Sequence, residues 1–245
     1  LEEVKSWMEH QAYYLTESSV ELAKERGPCL DSDKTRYGQG VFPWECRADG
    51  VNELADFTPE LDWETLRDNM KQHGIHNATL MAIAPVESSS VVINSTNGIE
   101  LPMDLISTKE SKAGSFTQVV PEYNNNRVRK NYQLMWQQTD CVGYLKTASV
   151  LAAYVDQSIS TNTFYNPAYF PANKVPSTLI AKNLMQAHRW GLKTFYYSLI
   201  NKAGAKSASE VIQQLELESV EPQQKVNGHH EIELDFDDDC EACKL

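Results

Sequence analysis

Two cysteines near the end of the chain, Cys240 and Cys243, lie three residues apart in the sequence DDDCEACKL. A C-x-x-C pair can close a small disulfide ring, and a thiolate of the pair can attack another disulfide by exchange. The neighbouring carboxylates disfavour the thiolate, so we expect a slower nucleophile than in thioredoxin-type sites. A metal site that also uses His229 and His230 is one alternative, although its spacing is not that of a standard zinc finger. The other alternative is an incidental pair of cysteines that has no function.

A serine-rich stretch, APVESSSVVINSTNGIE, covers residues 84–100. A strand that ends at Pro85, followed by a turn and by serines 88–90, would present hydroxyls and backbone N–H groups at the carboxyl end of the strand. That arrangement suits a phosphate. Glu87 would oppose an anion there unless it binds a sugar hydroxyl or shapes the loop. The alternative is an ordinary serine N-cap of a helix.

Two adjacent tyrosines, Tyr196 and Tyr197, lie in the sequence KTFYYSLI. This run is rich in aromatic and β-branched residues, which predicts a strand. Neighbouring side chains of a strand point to opposite faces, so we expect one tyrosine in the core and the other on the surface. Taken alone, the pair indicates packing.

The elements that must position these groups alternate between helix and strand. Apolar residues recur every three or four positions over residues 1–26 and stop at Gly27, which predicts a long helix. A second helix is expected from Asp62, a plausible N-cap, to Gly74. The sequence ATLMAIAP predicts a short buried strand, and LISTKESKAGSFTQVV predicts a hairpin around residues 112–114.

The later elements keep the same order. YLKTASVLAAYVDQ predicts a helix with a wide apolar face, SISTNTFY an extended segment, and PSTLIAKNLMQAHRWG a helix with Ile180, Leu184 and Ala187 on one face. This alternation favours an α/β fold with parallel strands for residues 1–204. From residue 205 to 245 the composition turns to Ser, Glu, Gln and Asp, which predicts a flexible acidic tail.

Charge and composition limit the partners. The formal net charge is −12, and ten acidic residues but only two lysines lie between Glu216 and Leu245. An acidic chain argues against nucleic acid or an anionic membrane as a partner, and no apolar run is long enough to span a bilayer. Five scattered cysteines indicate free thiols and a cytoplasmic location. The chain starts at Leu1 within a predicted helix, which suggests a piece of a larger polypeptide.

These features, in this order, resemble the C-terminal part of the large subunit of class I ribonucleotide reductase. The resemblance covers nearly the whole chain and rests on the motifs ELAKERGPC, APVESSS, STNGIE, QVVPEY, DQSISTNT, KVP, GLKTFYY and the terminal cysteine pair. It implies the ten-stranded α/β barrel of that family. It also implies radical reduction of ribonucleoside diphosphates to 2′-deoxyribonucleoside diphosphates for DNA synthesis.

Roles for individual residues also come from the resemblance. It implies that Tyr196 and Tyr197 are a stacked pair that relays a proton-coupled electron between the small subunit and the active-site cysteine. It implies that Cys240 and Cys243 reduce the active-site disulfide and are re-reduced by thioredoxin or glutaredoxin. It further implies that a loop holds the substrate diphosphate, and this loop is Pro85, Val86, Glu87, Ser88 and Ser89.

Other parts of the family's pattern have no counterpart in this sequence. The finger loop with the radical-bearing cysteine, the two electron-donating cysteines and the nucleotide-sensing cone are all missing, and Cys29, Cys46 and Cys141 are assigned structural roles. Residues 1–204 would then form about half a barrel, inactive alone. Its partners would be the N-terminal half of the large subunit and the small subunit, whose C-terminal peptide would dock near residues 177–190.

We expect no cofactor and no metal bound by this chain, because the metal or radical cofactor would belong to the small subunit. Two other functions stay open. One is a non-catalytic remnant that binds the small subunit or thioredoxin. The other is a stand-alone thiol-redox or zinc-binding adaptor.

Overall fold

The computed structural model of the chain describes residues 1–111 and 114–201. Its α-helices are α1 (Glu2–Arg26), α2 (Trp63–His73), α3 (Glu87–Val92), α4 (Asn126–Arg129), α5 (Val142–Tyr154) and α6 (Ser177–Arg189). Its strands are β1 (Ile106–Ser111), β2 (Gly114–Val119), β3 (Thr163–Tyr165) and β4 (Ser198–Ile200). Short 3-10 helices cover Ser32–Lys34, Pro43–Cys46, Asp49–Glu53, Met135–Gln137, Pro167–Tyr169 and Pro171–Asn173. The predicted tail, residues 205–245, lies outside the described residues.

The two predicted N-terminal helices are confirmed, together with their ends. α1 stops at Gly27, whose φ of 88° is unfavourable for a residue with a side chain. α2 begins after Asp62, whose carboxylate accepts a hydrogen bond of 3.1 Å from the backbone N–H of Thr65. It ends at Gly74, which has a φ of 75°. Local capping chemistry therefore determines where both helices terminate.

A buried ion pair fastens α1 to the segment before α2. Lys5 and Glu9 are almost fully buried, and the ammonium of Lys5 lies 2.7 Å from the carboxylate of Glu9. Lys5 also donates to the carbonyl of Thr58 at 2.8 Å. The other oxygen of Glu9 accepts from the backbone of Glu60 at 2.6 Å and from the indole of Trp63 at 3.1 Å. Each charge is thus satisfied without water, as burial of an ion pair requires.

Helix α5 joins two hydrophobic clusters. One cluster lies between α1, α2 and the C-terminal half of α5, and it includes Met8, Trp63, Leu66, Met70 and Tyr154. The other lies between the N-terminal half of α5, α6 and β3, and it includes Tyr144, Leu145, Phe164, Ala187 and Trp190. Contacts with helices on both sides account for the wide apolar face that the sequence of α5 predicts.

Parallel pairing relates three segments of the chain. Ile83 forms a parallel bridge with Ile159, in which Ser160 donates to the carbonyl of Ile83 at 2.8 Å. β3 pairs in parallel with β4, with Phe164 opposite Leu199. Segment 157–165 therefore lies between segment 80–83 and β4. The predicted α/β arrangement is supported, although ATLMAIAP forms only one bridge and β4 is shorter than KTFYYSLI.

The predicted hairpin is also confirmed. β1 and β2 are antiparallel, with Ile106 opposite Val119 at one end and Ser111 opposite Gly114 at the other. Gln118 in β2 is buried, and its side-chain amide donates to the carbonyl of Ser95 at 2.6 Å. The hairpin therefore supports the segment that comes after α3.

Asp156 connects the N-terminal ends of the parallel segments. Its carboxylate accepts hydrogen bonds from the backbone N–H groups of Leu80 at 2.6 Å and Met81 at 3.1 Å, and from the hydroxyl of Tyr37 at 3.0 Å. Burial and the nearby carboxylate raise the pKa of Tyr37 well above its usual range, so the phenol stays the donor. The ammonium of Lys193 donates to the carbonyl of Asp156 at 3.1 Å.

One prediction about α6 is wrong in detail. Ile180 and Ala187 face the core as expected, but Leu184 is 37% exposed, whereas Asn183 is fully buried. The amide of Asn183 donates to the hydroxyl of Tyr165 at 3.4 Å. Positions 180, 183 and 187 form one helical stripe, so a polar residue with a partner occupies the place that the sequence pattern gave to leucine.

Candidate functional site

The backbone before β4 is irregular at the two tyrosines. The N–H of Tyr196 donates to the carbonyl of Thr161 at 2.9 Å, and the carbonyl of Tyr197 accepts from the N–H of Thr163 at 2.8 Å. Two residues of one segment are therefore opposite a single residue of the other, Asn162. This is the pattern of a β-bulge, in which one residue is left out of the ladder and the strand bends.

The bulge overturns the prediction that one tyrosine is in the core. Tyr196 is 45% and Tyr197 57% exposed, and their ring centroids lie 4.0 Å apart at an interplanar angle of 48°. Strict alternation of side chains needs a regular pleat, and the extra residue removes it. The outcome is a pair of phenols in contact with each other at the surface.

Tyr197 borders a large cavity. The cavity has a volume of about 950 Å³, and its walls include Glu100, Asp104, Asn162 and residues 94–97. Burial raises the pKa of Asp104, and a hydrogen bond from the next backbone N–H only partly offsets this effect. Among the described lining residues there are two carboxylates and no lysine or arginine. The described walls therefore offer no cationic side chain to an anion.

Asn162 joins two walls of this cavity. It is 5% exposed, its carbonyl oxygen accepts from the backbone N–H of Tyr197 at 3.0 Å, and its amide donates to Glu100 at 3.0 Å. Neither Asn162 nor Glu100 was singled out from the sequence. Both lie within motifs that carry the resemblance, DQSISTNT and STNGIE. Membership of these motifs is the sequence feature from which the two residues could have been identified.

The predicted phosphate loop leads into α3 on another side of the cavity. Pro85, Val86 and Ser89 are exposed, and the backbone of Glu87 and Ser88 forms the first turn of α3. The N-cap is Val86, with no side-chain hydrogen bond, so the alternative of a serine N-cap is wrong.

A main-chain hydrogen bond to a residue further along the chain holds the loop. The N–H of Val86 donates to the carbonyl of Asn97 at 2.8 Å, which closes residues 86–97 into a compact turn. Val91 and residues 94–97 of this turn line the cavity. The structure thus places Tyr197 and the segment that follows the loop around one cavity, whereas Pro85, Val86 and Ser89 are not among its lining residues.

The cysteines separate into two groups. Cys240 and Cys243 lie outside the described residues, together with His229 and His230. The three others are free thiols: Cys141 is buried, Cys29 half-buried and Cys46 exposed. Burial raises the pKa of the Cys141 thiol, which keeps it protonated and fits a structural role.

In the described part of the chain, the histidines, cysteines and acidic residues form no group of three or more that could hold a metal ion. None of its helices is both long and apolar enough to cross a membrane.

Comparison with known proteins identifies the family. Residues 2–198 match the family described as ribonucleotide reductase, barrel domain. The chain is similar to the ribonucleoside-diphosphate reductase subunit alpha of Buchnera aphidicola subsp. Baizongia pistaciae, with 43% identity over 201 residues. That alignment covers 82% of this chain and 26% of the relative.

Two further relatives agree. The ribonucleoside-diphosphate reductase 1 subunit alpha of Escherichia coli K12 is 40% identical over 81% of this chain and 26% of its own length. The subunit alpha of Enterobacteria phage T4 is 35% identical over 97% of this chain and 29% of its own length. The chain therefore belongs to the ribonucleotide reductase family, and it spans about a quarter of the length of these curated relatives.

Proposed function

We propose that this chain is the C-terminal portion of the large subunit of a ribonucleoside-diphosphate reductase. In this proposal, residues 1–204 supply about half of the family's ten-stranded α/β barrel, and residues 205–245 form a flexible acidic tail. The match over residues 2–198 and the parallel segments around β3 and β4 support the barrel assignment. The overall reaction converts a ribonucleoside diphosphate and a dithiol into a 2′-deoxyribonucleoside diphosphate, a disulfide and water.

The ring contact between Tyr196 and Tyr197 is the observation that carries the proposal. A phenol can lose an electron and a proton together. A second phenol can then supply the missing electron and proton with little movement of atoms, because the two ring centroids lie 4.0 Å apart. Tyr197 also borders the cavity in which the substrate would bind. A relay that exchanges an electron with another subunit must be accessible at the surface, and both tyrosines are exposed. Tyr196 and Tyr197 therefore act as the radical relay.

The loop from Pro85 to Ser89 binds the diphosphate of the substrate in this proposal. The first N–H groups of a helix have no partner within the helix, so the backbone at Glu87, Ser88 and Ser89 can donate to phosphate oxygens. The described cavity walls contribute no lysine or arginine. Backbone donors and residues of the missing part of the subunit must then balance the phosphate charge.

The tail dithiol prepares the active site for the next turnover. Each turnover oxidises two active-site thiols to a disulfide, and Cys240 and Cys243 restore them by thiol–disulfide exchange while becoming a disulfide themselves. A tether of about 35 residues has a root-mean-square reach of roughly 30 to 35 Å, which allows one end to visit both a cavity and a partner in solution. Thioredoxin or glutaredoxin then reduces the tail disulfide.

The chain depends on partners for turnover. The missing N-terminal part of the large subunit, about three quarters of the relatives' length, would supply the radical-bearing cysteine, the two reducing cysteines and the remaining strands. The small subunit would supply the metal or radical cofactor, so this chain itself binds none. The assembled enzyme would act in the cytoplasm. The alternative is a non-catalytic chain that binds these partners without supporting turnover.

The decisive experiment measures reduction of CDP to dCDP. The chain is assayed alone, and then with the whole missing N-terminal part of the large subunit, the small subunit and a thioredoxin system. Activity only in the complete mixture is the expected result. If all components fold and bind one another but produce no dCDP, the proposal is wrong and the non-catalytic alternative is favoured.

Two variants test the individual roles in the complete mixture. Tyr197→Phe removes the oxidisable hydroxyl and should abolish turnover, whereas Tyr169→Phe, at an exposed tyrosine away from the cavity, should not. Cys240→Ser should abolish turnover with thioredoxin but retain it with dithiothreitol, a small dithiol that can reach the active site directly. Normal turnover of Tyr197→Phe would refute the relay, and normal thioredoxin-supported turnover of Cys240→Ser would refute the tail mechanism.

A further inference from the structure

The bulge at the tyrosines leaves one backbone N–H group without an acceptor in the main chain. In the ladder between segment 161–165 and β4, the N–H of Tyr196 and the carbonyl of Tyr197 are used. The N–H of Tyr197 belongs to the extra residue and has no main-chain acceptor in that ladder. This N–H is partly buried, and a partly buried donor without an acceptor is destabilising, so a side-chain acceptor stabilises such a bulge.

Asn162 supplies the missing acceptor from the opposite segment. Its carbonyl oxygen accepts from Tyr197 at 3.0 Å, and its amide donates to a carboxylate oxygen of Glu100 at 3.0 Å. Only this orientation of the amide satisfies both partners, because a carboxylate can only accept and a backbone N–H can only donate. With 5% of its surface exposed, the side chain has little freedom to move. Glu100 therefore fixes Asn162, and Asn162 fixes the backbone of Tyr197.

We infer that Asn162, anchored by Glu100, is a positioning residue that holds Tyr197 in ring contact with Tyr196 and against the cavity. The inference rests on the proposed relay for its functional meaning, but its structural part can be tested without turnover. Asn162 takes no electron or proton itself. It acts through the bulge, which sets the 4.0 Å ring separation and turns both phenols to the same surface.

The variant Asn162→Leu tests this role, because leucine has nearly the same size and shape but cannot accept from Tyr197. Asn162→Asp combined with Glu100→Gln keeps the oxygen that accepts from Tyr197 and restores a donor to the contact between positions 162 and 100, so this double variant should keep the ring contact. Asn166→Leu is the matched control. Asn166 is also buried near β3, donates to the carbonyl of Trp136 at 2.7 Å and accepts a backbone N–H at 3.1 Å, but it does not touch the tyrosines.

The first measurement uses the full chain alone. Ring-labelled tyrosine gives a nuclear Overhauser cross-peak between Tyr196 and Tyr197, which is assigned with the two Tyr→Phe variants. The expected result is loss of this cross-peak in Asn162→Leu and its retention in the double variant Asn162→Asp with Glu100→Gln and in Asn166→Leu. Circular dichroism and thermal unfolding establish that each variant is folded. An unchanged cross-peak in folded Asn162→Leu overturns the inference, whatever the activity.

The second measurement separates positioning from substrate binding in the complete enzyme mixture. Asn162→Leu should lower kcat by about ten- to a hundredfold with little change in KM, since a displacement of about 1 Å can cost that much. A raised KM with normal kcat would overturn the inference, because Asn162 would then serve the substrate. If Tyr197→Phe is inactive but Asn162→Leu is fully active, only the inference fails. If Tyr197→Phe is active, the proposed relay fails.

Discussion

Removal of the Asp156 carboxylate should loosen the parallel segments that lead to the candidate site. Asp156 accepts from Leu80, Met81 and Tyr37, so Asp156→Ala deletes three hydrogen bonds to an ionised group. Such bonds contribute about 1.5 to 3 kcal/mol each. Leu80 is only half-buried and can bind water instead, whereas Met81 and Tyr37 are buried. We therefore count two of the three and expect a loss of about 3 to 6 kcal/mol in the free energy of unfolding.

Urea unfolding of the full chain, followed by circular dichroism, measures this loss. Tyr37→Phe removes one of the three bonds and should cost about 1.5 to 3 kcal/mol. Asp68→Ala is the control, because Asp68 is an exposed aspartate on α2, and it should change stability by less than about 0.5 kcal/mol. If Asp156→Ala were no less stable than Asp68→Ala, Asp156 would not hold the segments together. The complete enzyme mixture would add a second readout, since a displaced segment 80–83 should raise the KM for CDP.

Two further predictions concern the buried ion pair of α1. Lys5→Met leaves the carboxylate of Glu9 buried without its cation and should cost about 3 to 5 kcal/mol in urea unfolding. Lys24→Met, which removes a solvent-exposed pair on the same helix, should cost less than about 1 kcal/mol, and equal losses would contradict the reasoning. Burial opposes ionisation of Glu9, but hydrogen bonds from Lys5 and from backbone and indole N–H groups outweigh it and hold its pKa below the ordinary value of 4.5. Its contribution to stability is therefore complete above about pH 4.5 and is lost as the pH falls further. Melting temperatures measured from pH 7 down to pH 3 should fall more steeply for the natural chain than for Glu9→Gln, and parallel curves would exclude Glu9 as the cause.

Much of the fold could be predicted from local sequence. The ends of α2 depend on Asp62 and Gly74, and the hairpin depends on alternation on either side of residues 112–114. The same local rules failed at Leu184, which the helical pattern placed in the core although Asn183 occupies it. A pattern of apolar residues cannot show that a buried amide will find a partner on a distant strand.

The candidate site was predictable in part. The tyrosines, the loop and the cysteine pair could be named because they lie in motifs that resemble a known family. Their geometry could not be predicted from alternation, which placed Tyr196 and Tyr197 on opposite faces. The hydrogen bond between Glu100 and Asn162 joins residues 62 positions apart, and neither residue type by itself predicts such a contact.

The four long helices, the glycine ends of the first two, the hairpin and the family could be predicted from the sequence, because they depend on neighbouring residues or on runs of recognisable residues. The ring contact between Tyr196 and Tyr197 at the surface arises only on folding. The physical reason is that a bulge depends on hydrogen bonds between segments distant in the chain. One such bond joins the side chain of Asn162 to the N–H of Tyr197, and only folding brings these two residues together.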